Sequence, residues 1–279
     1  MNKTSLTLAY STCPNDTFLF HALTHGLIPL SGLSYSVVLD DVESLNRKAC
    51  DGLYHISKLS FAAIGNLQDT YGLLRSGAAL GRGCGPLIVA RKGADLRKIK
   101  DAKIAVPGLQ TTANLLLGLY LGKKPDGVPM IFDQIMPSVS SGEYDFGVII
   151  HEGRFTYPSY GLELIADLGA WWESETSLPI PLGGIAVRRD LPDDMSRLIE
   201  TSIANSVRYG FLNPDASKTY IKHHAQELED DVIQQHIALY VNDFTIDLGK
   251  EGETAIDHFF ELARRKGLMK PSVLPLFAC

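Results

Sequence analysis

The sequence predicts an α/β protein of two domains around a ligand cleft. Short apolar runs of strand length alternate with segments of helical period, as in sheets joined by crossover helices. The chain has 279 residues, long for one core. Two distant segments also share a pattern, Gly85-Pro86-Leu87-Ile88-Val89-Ala90-Arg91-Lys92 and Gly183-Gly184-Ile185-Ala186-Val187-Arg188-Arg189. Each is a glycine, an apolar strand and a basic exit. They are either two unrelated buried strands or two crossings between domains. On the second reading, residues 91–183 form a smaller α/β domain inserted into a larger one made of residues 1–90 and 184–279, with the ligand between them.

Taken in order, residues 6–10 read as a strand, followed by a helix over 16–23. Residues 35–39 are a strand and 43–50 a helix; 56–59 are a short strand before a helix over 61–67. Residues 104–106 and 148–150 are strands, with a helix over 112–121 between them. This alternation predicts parallel sheets. After the second crossing the chain reads as wholly helical. Asp193-Asp194, Asn213-Pro214-Asp215 and Asp230-Asp231 mark three helix starts, and residues 252–267 a fourth helix. These helices read as packing elements and receive no chemistry.

Hydrophobic content of 45% and charged content of 21% are ordinary for a globular protein. A net charge of −6 argues against a nucleic-acid surface, though it leaves room for a locally positive site for a small anion. Cys13, Cys50, Cys84 and Cys279 form no C-x-x-C, and no Cys/His cluster has zinc spacing. The N-terminus lacks the apolar core of a signal peptide, and no run approaches the ~20 apolar residues of a membrane span. The expectation is a cytoplasmic protein acting on a small molecule, with no metal, nucleic-acid or membrane partner. The sequence gives no oligomeric state.

The most informative stretch is Gly147-Val148-Ile149-Ile150-His151-Glu152-Gly153-Arg154-Phe155-Thr156-Tyr157. His151 follows a buried strand, at the end where open α/β sheets bind ligands, and a histidine there can exchange protons near neutral pH. The plainer reading is a strand-end histidine bonded to backbone. Three strand-to-helix turns are rich in small polar residues: Ser11-Thr12-Cys13-Pro14-Asn15-Asp16-Thr17, Lys58-Leu59-Ser60, and Pro107-Gly108-Leu109-Gln110-Thr111-Thr112-Ala113. Helix N-termini favour anions. Simple N-capping explains any one of these turns, but three on different strands suggest a shared pocket.

The glycine-rich stretch from Arg75 to Gly85 matches neither a dinucleotide fingerprint nor a Walker loop. Arg75 and Arg82 are candidates for a substrate carboxylate, or solvated arginines. Cys13 has no base marked nearby. Trp171-Trp172 are either a wall for an aromatic ligand or ordinary packing.

These residues resemble the 1,4-dihydroxy-6-naphthoate synthase family of the futalosine route to menaquinone. The resemblance runs from about residue 9 to residue 277. It rests on Cys13-Pro14-Asn15-Asp16-Thr17-Phe18, Asp41-Val42-Glu43 with Leu45-Asn46-Arg47, Lys58-Leu59-Ser60, Leu74-Arg75-Ser76-Gly77, Ala79-Leu80-Gly81-Arg82-Gly83, the segment from Val148 to Tyr157, and Leu178-Pro179-Ile180-Pro181-Leu182-Gly183. Thr12 departs from the family's usual proline.

The resemblance implies a periplasmic-binding-protein-like (type II) fold with an interdomain cleft. It also implies conversion of cyclic dehypoxanthinyl futalosine to 1,4-dihydroxy-6-naphthoate with loss of a triose, dihydroxyacetone, and no cofactor. By the same resemblance His151 is the general base, and Lys58, Leu59, Ser60, Thr111 and Thr112 contact substrate. Two alternatives stay open: the sister chorismate dehydratase of the same pathway, and a non-catalytic solute-binding protein.

Overall fold

A computed structural model of the chain describes residues 4–225 and 229–279. Its strands, in chain order, are β1 (Thr4–Tyr10), β2 (Leu33–Leu39), β3 (Ile56–Ser60), β4 (Tyr71–Leu73), β5 (Ala79–Gly81), β6 (Leu87–Arg91), β7 (Lys103–Val106), β8 (Asp126–Pro129), β9 (Phe146–Ile149), β10 (Leu162–Asp167) and β11 (Ile180–Arg188). They form two sheets. The first has the order β2-β1-β3-β11-β4, with β5 also paired to β11; the second runs β10-β6-β9-β7-β8.

The sheets are mixed, which corrects the expectation of parallel sheets. Strands β2, β1 and β3 are parallel, as are β8, β7 and β9. Strand β11 runs antiparallel to β3, β4 and β5, and β6 antiparallel to β9 and β10. The two antiparallel strands are those singled out as crossings. Each starts beside the cleft, just after the chain has left the other sheet, and so runs against strands whose carboxyl ends point to the cleft. The passages fall at residues 82–86 and 177–179. Residues 87–90 therefore sit in the second sheet and 180–183 in the first, the reverse of the sequence-derived boundaries, because a strand pairs with the sheet it enters.

Local signals explain most helices. Pro14 opens the helix Pro14–Thr24 in its first turn. Asp41 caps Val42–Cys50 by accepting from the Glu43 and Ser44 N–H groups. Thr111 caps Thr112–Leu121, and Gly122 closes it at φ +72°. The helix Phe132–Ser141 was not predicted; Pro137 lies inside it and removes one backbone donor. Buried Ile135, Met136 and Val139, all in one apolar cluster, hold it on the second sheet. After β11 come helices Asp193–Leu212, Lys218–His224, Asp230–Tyr240, Asp243–Ile246 and Gly249–Arg265. The C-terminus then returns to the first sheet through a bridge from Phe277 to Leu73. No helix among the described residues is long and apolar enough to cross a membrane.

Side-chain alternation along the strands divides the core. In β1, Leu6, Leu8 and Tyr10 join one cluster with Ile199 and Ile203. In the second sheet, Leu87, Val89 and Ile149 face Ile135. Ile88, Ala90, Phe146 and Val148 face the other way, into a cluster that also holds Leu59, Phe61, Leu116, Trp172 and Phe259. That cluster draws on both lobes (each sheet with its helices), so the cleft stands on a shared apolar base.

Candidate active site

The carboxyl ends of β1, β3, β7 and β9 converge on one cleft, as open α/β sheets position ligands. Its lining includes Ser11, Asn15 and Asp16 after β1, Lys58, Leu59 and Ser60 in β3, Thr111 and Thr112 after β7, and His151 after β9. All six residues selected from the sequence as base or substrate contacts thus lie in one place, drawn from both lobes.

The first-lobe wall is a bonded network of charge. Asp16 Oδ1 is 2.8 Å from Lys58 Nζ, and both side chains are buried. The same oxygen accepts from Asn15 Nδ2 at 2.9 Å, and Oδ2 accepts from the Ser11 hydroxyl at 2.7 Å and the Ser11 N–H at 3.3 Å. Lys58 Nζ also reaches the Gly77 carbonyl at 3.5 Å. Such pairing is what keeps charges tolerable away from water. Ser60 is pinned by buried Asn46, which donates to its Oγ at 3.0 Å and accepts from its N–H at 2.9 Å.

The second-lobe wall carries His151. Strand β9 ends at Ile149, and His151 takes the left-handed conformation at φ +55°. Histidine is among the few side chains enriched there, and a held outlier at a cleft is a pointer to function. Among the described residues no hydrogen bond reaches its ring, so the backbone-bonded alternative is not what the structure shows. The ring is oriented by rings instead. Phe132 meets it edge-on at 5.4 Å, and His236 lies nearly parallel at 5.8 Å. Burial depresses its pKa to about 4; the Asp16 carboxylate opposes this and the Lys58 ammonium adds to it. The imidazole is therefore neutral at pH 7 and able to accept a proton.

Thr111 and Thr112 have their hydroxyls committed. Thr111 donates to the Gly108 carbonyl at 2.7 Å and accepts from Asn114 N–H at 3.3 Å. Thr112 donates to the Leu182 carbonyl at 2.6 Å and accepts from Ala62 N–H at 3.3 Å, tying the second-lobe helix to the first lobe. Thr111, Thr112 and Ala113 line the cleft, so the N-terminus of this helix forms part of its wall. Glu43, on the first lobe, accepts from the N–H groups of Leu109 at 3.0 Å and Gln110 at 3.2 Å. Desolvation raises its pKa more than these bonds lower it. The loop comes this close because residue 108 is glycine: at φ +151°, a Cβ there would lie 2.3 Å from the Glu43 carboxyl carbon.

Other candidates fall outside the cleft chemistry. Arg75 pairs with Glu253 at 2.8 Å, donates to the Cys279 carbonyl and stacks on Phe277, so it clamps the C-terminus. Arg82 pairs with Glu251 at the surface. Arg154 bridges Asp167 and the Gly85 carbonyl. Trp172 is fully buried, donates to the Pro179 carbonyl at 3.1 Å and packs edge-on against Phe259; Trp171 meets Tyr120. The tryptophans are packing residues.

Burial, with Glu152 and Asp16 nearby, pushes the Cys13 thiol far up, and burial pushes Cys84 to about 12, so neither is a ready nucleophile. Among the described residues no group of three or more His, Cys, Asp or Glu side chains is placed to hold a metal. Sequence reading placed His236 and Tyr240 at helical spacing but gave them no chemistry; their rings meet at 4.6 Å, and Tyr240 lines the cleft. Their i, i+4 spacing on one helix face was the available signal.

Comparison with known proteins gives the family and the fold. A family model described as "Menaquinone biosynthesis" matches residues 6–265. The chain is 48% identical over 274 residues to 1,4-dihydroxy-6-naphthoate synthase of Thermus thermophilus, covering 98% of this chain and 99% of that protein. It is 43% identical over 275 residues to the enzyme of the same name from Streptomyces coelicolor, covering 96% of each. A crystal structure of an Archaeoglobus fulgidus protein superposes with a TM-score of 0.88 at 35% identity, over 95% of this chain and 98% of that one. A Candida albicans protein with the generic periplasmic-binding-protein fold gives a TM-score of 0.68 at 13% identity, over 96% and 92% of the two chains. This last match shows the fold alone: a two-domain, periplasmic-binding-protein-like architecture.

Proposed function

The chain belongs to the menaquinone-biosynthesis family, and from that premise we propose that it converts cyclic dehypoxanthinyl futalosine to 1,4-dihydroxy-6-naphthoate with release of dihydroxyacetone. The reaction is a carbon–carbon lyase step in the cytoplasm, with His151 as general base. The observation that carries this is His151 itself. It is neutral, held in a left-handed conformation, and lines the cleft with no hydrogen bond to its ring among the described residues.

The conversion needs proton removal, carbon–carbon cleavage and aromatisation. A positioned base contributes roughly 10²–10⁴ of rate. Its low pKa makes His151 a weak base but a fully available one. The Lys58 ammonium sets positive charge in the same cleft, where negative charge on a substrate oxygen is stabilised. Ser60 supplies a hydroxyl pinned by Asn46. Because the Thr111 and Thr112 hydroxyls already donate to carbonyls, the second-lobe helix meets the substrate through its backbone N–H groups.

The test is incubation of the purified protein with cyclic dehypoxanthinyl futalosine, following naphthoate by absorbance and mass spectrometry, with chorismate run in parallel. Naphthoate formation is the expected result. Turnover of chorismate instead would transfer the protein to the dehydratase reading. Recovery of both compounds unchanged from folded protein would leave only ligand binding.

A further inference from the structure

The helix Asp230–Tyr240 brings to the site a titratable group that the reaction above does not use. His236 is fully buried, and its ring plane lies 19° from that of His151. Its Nε2 is 2.9 Å from Asn15 Oδ1. The neighbours set the direction of that bond. A carboxylate only accepts, so Asn15 turns its Nδ2 toward Asp16 Oδ1 and presents its Oδ1 to His236. The amide oxygen carries no proton, so His236 Nε2 does. Burial lowers the basicity of this ring, and His151 and Lys58 lower it further, so the ring is neutral. Nδ1 is then a bare acceptor, buried with no hydrogen-bond partner among the described residues and 3.9 Å from Glu152 Oε2.

An apolar ring would fill this space without leaving a buried nitrogen unpaired. What a histidine adds is the Nε2–H donor. We propose that His236 is a positioning residue with two separable duties, resting on the function proposed above. Its Nε2–H fixes the Asn15 amide, and through it the register of the Asp16–Lys58 pair in the first-lobe wall. Its ring face gives His151, on the other lobe, a surface that orients the base while leaving both nitrogens of that base to the substrate. A hydrogen-bonded third group is the usual way to orient a base; here two flanking rings, His236 and Phe132, do so. The groups facing His236 are His151 and Glu152 from the second lobe, Asn15 from the first helix, Lys58 from β3 and Tyr240 on its own helix.

Two variants separate the duties. His236→Gln keeps an amide donor for Asn15 and removes the ring; kcat is expected to fall about tenfold or more with KM within about threefold. His236→Phe keeps a ring and removes the donor; KM is expected to rise about tenfold with kcat within about threefold. If both variants keep both constants within that threefold band, or both move kcat and KM together, the two duties do not exist. Nitrogen-15 NMR of the histidine rings in ligand-free protein needs no turnover. It should show the His236 proton on Nε2 and a bare Nδ1 between pH 5 and 8; a proton on Nδ1 would overturn the proposal. Wild-type protein is assayed first. Failure to form naphthoate would remove the proposed reaction, while the NMR result would still decide the Asn15 bond.

Discussion

The two walls of the cleft differ in kind. On the first lobe, Asp16, Lys58, Ser11, Asn15, Ser60 and Asn46 are bonded to one another before any ligand arrives. On the second lobe, His151 makes no hydrogen bond through its ring among the described residues and is held by backbone strain and ring contacts. A wall that stabilises charge gains from being fixed in advance, because no reorganisation is then needed during reaction. A group that must change its protonation state gains from the opposite: a partner bonded to its nitrogens would compete with the substrate. The comparison assigns stability to one wall and turnover to the other, and the walls can be broken separately.

The largest effect belongs to the second wall. His151→Asn is the informative substitution, because asparagine tolerates φ +55° where alanine pays in strain. We expect kcat to fall roughly 10²–10⁴-fold while the melting temperature holds or rises. Near-wild-type turnover by a folded variant would remove His151 as the base.

The first wall should respond in stability. Asp16→Asn removes the counter-charge of the buried Lys58 ammonium and leaves it neutral acceptors, the new amide oxygen and the Gly77 carbonyl at 3.5 Å; breaking a buried pair from one side costs about 3–5 kcal/mol. Lys58→Met should cost less, because Asp16 keeps three donors from Ser11 and Asn15. Urea unfolding of the two variants and of the double variant checks this. Equal losses, or strict additivity, would mean the pair is not the coupled unit its geometry describes.

A smaller effect appears with pH. His151 has a folded-state pKa of about 4 against about 6.5 when unfolded. The unfolded chain therefore binds the proton first as pH falls, and stability declines from about pH 6.5 down to about 4. His236, also depressed, adds in the same direction. Melting curves across that range should fall less steeply for His151→Asn than for wild type. The acid limb of kcat/KM should lie near pH 4, with activity recovered on return to neutral pH to exclude unfolding. A limb near 6.5 would mean that His151 is hydrated in the free enzyme.

Much of this division was legible in the sequence because each wall announces itself locally. An apolar run followed by small polar residues marks a strand end, so Ser11 to Asp16, Lys58 to Ser60 and Thr111-Thr112 could be placed without contacts. His151 stood out by position after Val148 to Ile150. What was hidden depends on who faces whom. Helical period puts His236 and Tyr240 on one face of their helix but does not say that this face meets His151. The Thr111 and Thr112 hydroxyls look like ligand donors until Gly108 and Leu182 take them. Strand direction was hidden too: β6 and β11 carry the same apolar pattern whichever way they run, and only the passage between sheets makes them antiparallel.

The mildest perturbation tests how the walls are held together. Glu43 joins the first lobe to the Leu109-Gln110 turn of the second, at the mouth of the cleft and away from His151. Glu43→Gln keeps the shape and one acceptor oxygen but removes the charge, and hydrogen bonds to a charged acceptor are about twice as strong as neutral ones. The loss is on the order of 1 kcal/mol. It should fall on the balance between open and closed cleft, because the Thr112 bridge to Ala62 and Leu182 still ties the lobes. KM should rise a few-fold, roughly fivefold, with kcat nearly unchanged. Small-angle scattering should show a slightly larger radius in the unliganded variant than in wild type. A fall in kcat at constant KM would place Glu43 in the chemistry of the second wall. No change in either constant or in the radius would mean that the shared apolar base and Thr112 hold the cleft by themselves.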